Sequence, residues 1–155
     1  MWTPILALAV ALGRAEPPAY PGVADPMAFV AARYGEYQHG NRTIALDSYA
    51  STRLRRLLHA FDEAAGGEEL DGADFWIDGV DWRLAGLDLA LEPRRRPDRQ
   101  TVTARFRNLS RPVLLRFHFV REGGRWFLDE VVRPGRRGWT LTGRLARRPR
   151  GRPNP

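Results

Sequence analysis

The residues of this chain able to move a proton or hold a metal are few and scattered. There are three histidines, His39, His59 and His118. None sits in a G-x-S-x-G nucleophile elbow or an H-E-x-x-H zinc helix. Their patterns read as a helix-end turn for His39, the polar side of a helix for His59, and a strand face shared with Arg116 for His118. The densest acidic group is Asp71, Asp74, Asp78 and Asp81, spaced by three, four and three. An EF-hand calcium loop needs oxygens at alternate positions and a closing Glu, so that loop is excluded. Asp side chains before a strand serve more simply as turn formers and caps. Asp81, beside Trp82, is the carboxyl best suited to general acid–base work, if an apolar pocket raises its pKa. His118 is its candidate helper. Tyr34, Tyr37, Asp78, Asp81 and Trp126 are the candidate ligand-binding side chains. No glycine-rich phosphate loop is present, because Gly66-Gly67 and Gly123-Gly124 lack the spacing and context. There is no cysteine, which excludes disulfides, thiolate metal sites and a cysteine nucleophile. No metal or cofactor is expected.

These side chains must be positioned by two helices followed by strands. Asp25-Pro26 is a helix start, with Asp as cap and Pro at the first helical position. Met27, Val30, Tyr34 and Tyr37 then form one apolar stripe, and Gly40-Asn41 ends it. A second helix begins at Asp47 or Ser51 and runs to Ala65, with Ala50, Leu54, Leu57, Leu58 and Phe61 as its stripe. Trp82 to Leu91 alternates as a strand whose parity switches at Gly86, which predicts a bulge. Thr101 to Arg107 alternates cleanly, and Asn108 to Pro112 turns the chain. Val113 to Arg121 places Val113, Leu115, Phe117 and Phe119 on one face. Glu122-Gly123-Gly124-Arg125 is a hairpin signal, and Trp126 to Val132 returns. Trp139, Leu141 and Leu145 suit a short helix capped by Thr140. The expected architecture is α+β: N-terminal helices packed on a curved antiparallel sheet of about four strands.

Five segments then show a resemblance: FVAARYGEY (29–37), YASTRLRRLL (49–58), DFWIDGVDW (74–82), GGRWFLDEV (123–131) and GWTLTGRL (138–145). In this order they resemble the exported bacterial family called domain of unknown function 3828. That family is similar to the cone fold of nuclear transport factor 2, also called cystatin-like. The resemblance covers about residues 25–146 and implies the cone fold and export. It names no reaction. A Gln-Asp pair of the family's pattern is replaced here by Val80-Asp81.

Charge and termini bound the rest. All 25 basic residues of the 155 are arginine, the mark of a GC-rich bacterial genome rather than of arginine chemistry. Residues 16–132 carry 16 arginines and 18 acids, whereas residues 133–155 carry eight arginines and no acid. The net +7 is therefore a property of the C-terminal end. The body lacks the aromatic-plus-basic surface of a nucleic-acid binder, so no nucleic-acid partner is expected. Residues 1–15 read as a signal peptide. Pro4 to Leu12 forms an apolar core too short to span a membrane, and Gly13 and Ala15 prepare cleavage between Ala15 and Glu16. Residues 16–24 read as an extended leader, 25–146 as the domain, and 147–155 as a disordered Arg/Pro-rich tail able to touch anionic surfaces weakly. The sequence thus points to a small periplasmic or secreted binding module without catalysis, its partner an unidentified protein or small ligand. Two alternatives stand beside it: a cone-pocket enzyme using Asp81 on a small organic substrate, and a periplasmic inhibitor or immunity-type protein.

Overall fold

A computed structural model describes residues 20–40, 46–65 and 74–147. The proposed cleavage site at Ala15 and Glu16, Asp71, and the tail from residue 148 lie outside them.

Helix α1 spans Pro26–Gln38, and the Asp25 carboxylate accepts from the N–H groups of Met27 and Ala28 at 2.8 and 3.2 Å. It buries Val30, Tyr34 and Tyr37, three members of the anticipated stripe. Helix α2 spans Thr52–Ala65, and Ser51 is its cap, accepting from Leu54 N–H at 3.0 Å. Leu54, Phe61 and Ala65 are its buried residues.

The sheet is antiparallel and open, with β1 (Leu84–Leu91), β2 (Arg99–Asn108), β3 (Arg111–Glu122), β4 (Arg125–Arg133) and β5 (Trp139–Thr140) in sequence order. It has five strands rather than about four. The added strand is two residues long, pairing Val132 with Thr140 and Arg133 with Trp139. That is too short for alternation to signal it. Helix α3 (Leu141–Leu145) follows directly, capped by Thr140, whose hydroxyl accepts from Gly143 N–H at 3.0 Å. The bulge at Gly86 is present, as a register shift between Ala85 and Asp88 with Gly86 at φ +63°.

Two tight turns join β2 to β3 and β3 to β4, and they differ in chemistry. Gly123 and Gly124 take φ +54° and +84°, which glycine does without strain. Leu109 and Ser110 take φ +50° and +69° with no glycine at all. A primed two-residue turn favours Asn-Gly, and a leucine there is strained.

The core lies between α1 and the β2–β3 part of the sheet. Tyr34 meets Phe106 at 5.2 Å and Phe117 at 6.3 Å between ring centroids, and Phe29 meets Phe119 at 6.1 Å. Trp76, from the segment before β1, stacks on Phe117 at 4.8 Å. The far edge of β4 is covered in pieces: Val23 pairs with Trp126, and Ala50 pairs in parallel with Leu128. Residues 20–24, which the sequence reads as part of a leader, join the body, and Val23 is buried.

Candidate binding site at one end of the sheet

The segment from Asp74 to Gly79 folds into a turn closed by Asp74 N–H donating to Gly79 O at 2.9 Å. Asp74 makes it possible, because its carboxylate accepts from Trp76 N–H at 2.9 Å while Tyr37 donates its hydroxyl to the other oxygen. Asn108, at the end of β2, staples this segment to the sheet. Its amide nitrogen donates to Ile77 O and Asp81 O, both at 3.1 Å, and its oxygen accepts from Arg83 N–H at 3.0 Å. A short polar side chain with two donors and an acceptor satisfies three backbone groups at once.

Asp78 is the centre of what this staple builds. It sits at φ +51°, a conformation that Asp tolerates, and is buried. Arg133 Nε lies 2.9 Å from Oδ2, and Arg111 Nη2 lies 3.5 Å from the same oxygen and 2.5 Å from the backbone carbonyl. Arg144 approaches Oδ1 at 3.7 Å, and Trp139 Nε1 donates to it at 2.8 Å. Arg144 in turn lies over the Trp139 ring at 3.7 Å. One carboxylate therefore gathers the β3 start, the β4 end, β5 and α3. Arg136 and Arg137, in the loop between β4 and β5, are exposed, and Arg137 O accepts from Arg133 Nη1 at 3.1 Å. Three guanidiniums against one carboxylate leave this end cationic.

Next to Asp78 lies a groove of about 380 Å³ lined by Gly79, Val80, Asp81, Asn108, Leu109 and Arg111. Val80 and Leu109 are 58% and 54% exposed, two of only four large hydrophobic side chains so exposed among the described residues. Arg111 spends Nη2 on Asp78, while its Nε and Nη1 have no partner among the described residues. A second groove of about 400 Å³ is lined by Tyr37, Gln38, Gly40, Trp82, Arg83 and Leu84.

The remaining candidates fall elsewhere. Tyr34 is fully buried, donates to Trp76 O at 2.8 Å, and has a phenol held well above its ordinary pKa, first by burial and then by Tyr37 and Asp74. Asp81 is exposed, at the rim of the open groove beside Asp78 rather than enclosed among apolar side chains. His118 bonds the Thr101 hydroxyl at 2.9 Å, and burial lowers its pKa against the opposing pull of Glu92 and Glu130. Asp81 is tied to the β2–β3 turn, and His118 stands seven residues along β3, roughly 23 Å away at ~3.3 Å per residue. The two are not brought together. Trp126 is buried at the opposite end, flanked by Arg94 and Arg121 at 5.3 and 5.8 Å. Tyr37, Asp78 and Asp81 are the sequence candidates that share one region.

A second polar knot joins α2 to β4. Ser51 Oγ donates to Asp129 at 2.6 Å, and Arg53 reaches both the carboxylate and the carbonyl of Asp129. Burial acts to raise the Asp129 pKa, but the bonds from Arg53 and Ser51 outweigh it and hold the carboxyl below its ordinary value. Among the described residues no group of three or more His, Cys, Asp or Glu is arranged to hold a metal ion, and no helix is long and apolar enough to cross a membrane.

No family model matches the chain, nor does any curated protein or solved structure.

Proposed function

We propose that the chain is an exported binding module with a cone fold of the nuclear transport factor 2 type. In this reading it acts without catalysis and holds its partner at the sheet end formed by the Asp78 turn and the β2–β3 turn. One observation carries the reading. At this end two aliphatic side chains, Val80 and Leu109, stand in water beside an arginine with uncommitted donors, and Leu109 does so from a strained backbone. Strain that folding does not require is a pointer to a working surface. The interior hydroxyls and carboxyl of Tyr34, Tyr37 and Asp74 are by contrast engaged in internal hydrogen bonds. The segments from 29 to 145 that resemble the exported bacterial family support the same fold and a periplasmic or secreted location.

Two experiments test it. A photo-crosslinking residue at position 109 should give a discrete adduct in the native host, and one at the exposed position Asp62 on α2 should not. Equal adducts from both positions would remove the assigned face. Fractionation with N-terminal sequencing should find a chain that starts at Glu16 outside the cytoplasm. An intact Met1 in the cytoplasm would remove export.

A further inference from the structure

The geometry points to an acidic, aliphatic peptide segment of a protein partner as the occupant of the groove between Val80, Leu109 and Arg111. This rests on the binding reading above and gives the partner its chemistry. Arg111, Arg133 and Arg144 surround a single buried carboxylate, and Asp81 is the one exposed acid lining the groove. Arg111 is half exposed and has Nε and Nη1 uncommitted among the described residues, and a carboxylate accepting from them makes charge-assisted bonds. Asp78 fixes the same guanidinium through Nη2, so those donors are held in place before any ligand arrives. The groove is concave, about 380 Å³, and rimmed by aliphatic rather than aromatic side chains. Single-stranded nucleic acid is held by stacking on aromatics, which this rim lacks. A membrane-surface element presents a broad apolar helix face, whereas Val80 and Leu109 stand on a strip and a two-residue turn. A Leu or Val side chain between them, with a neighbouring Glu or Asp on Arg111, uses both features of the groove.

The test is amide-shift mapping on the full ¹⁵N-labelled chain with three synthetic peptides: one carrying Leu-Glu-Leu, one Leu-Gln-Leu and one Leu-Lys-Leu, otherwise identical and capped. The Glu peptide should move the amides of residues 79–81 and 109–111 in a saturable way, and the Gln peptide should bind about tenfold more weakly. The Lys peptide should not bind. Arg111→Gln should abolish the Glu-over-Gln preference, and Leu109→Asn should weaken both peptides. Asn relieves the turn strain, so its effect is not one of unfolding. If the three peptides move the same amides equally, the acidic chemistry is wrong and the binding face stands. If none moves them, both fall. Binding of an oligonucleotide or anionic vesicles at these amides, in place of the Glu peptide, also overturns the inference.

Discussion

Replacing Asp78 with Asn is the sharpest test of how this end of the sheet is held. Asn keeps the Oδ1 acceptor for Trp139, tolerates φ +51° and conserves volume. It removes the charge and turns an amide N–H₂ toward Arg133 Nε, now 2.9 Å from an acceptor. Removing one partner of a well-buried ion pair costs about 3–5 kcal/mol. Asp78 is 7% exposed, but Arg111 is 54% and Arg133 26%, so part of the attraction is already screened by water. We therefore expect about 3 kcal/mol. With a urea m-value of about 1.5 kcal/mol/M the midpoint should fall by about 2 M at unchanged m. Combining Asp78→Asn with Arg133→Gln should cost less than the sum of the single changes, because each removes the same pair. A midpoint within about 0.3 M of the parent, or strict additivity, would refute the assignment of Asp78 as the tie between these four segments.

Three further outcomes follow from other residues. The Tyr34 phenol is raised in the folded state, so above about pH 10 the unfolded chain loses a proton that the folded chain keeps. Stability should therefore fall with rising pH, and Tyr34→Phe should flatten that alkaline slope in urea melts taken from pH 9 to 11. Asp129 is lowered, so its contribution is present above about pH 4 and is lost on acidification. Ser51→Ala should remove part of it together with the α2 cap, costing about 2 kcal/mol at pH 7 and about 1 kcal/mol at pH 3, where only the cap is lost. Gly22 sits at φ +57° with a built Cβ only 2.8 Å from Phe127 Cζ. Gly22→Ala should lower the melting temperature by several degrees, by about 1–2 kcal/mol, while Gly35→Ala, which meets nothing within 4 Å, should not.

Most of the elements were legible because each carries a strong local signal. Asp25-Pro26, Thr140, Gly86 and Gly123-Gly124 mark starts, a bulge and a turn by chemistry that acts within a few residues. β5 was not legible, since two residues bear no period and owe their place to the end of β4. The attachment of residues 20–24 was hidden for a similar reason: Val23 and Gly22 are set by Trp126 and Phe127, about a hundred positions away. The site divided along the same line. Asp78 stood out as part of an acidic group, but Arg111, Arg133, Arg144 and Trp139 reach it only through the sheet and α3. One signal was within reach. Asn108-Leu109-Ser110-Arg111 between two alternating strands allows only a short turn, and its lack of glycine marks Leu109 as out of place. Pairing Asp81 with His118 failed because alternation gives a residue's face of a strand, not its distance along the sheet.

The most direct measurement on the binding face is a paired one on Leu109→Asn: thermal unfolding and the Leu-Glu-Leu peptide titration on the same sample. A leucine kept in a strained, water-facing turn for the sake of a partner predicts a melting temperature higher by about 3 °C or more, from relief of about 1 kcal/mol of strain, together with weakened peptide binding. A more stable protein that binds the peptide as tightly as the parent would contradict the account.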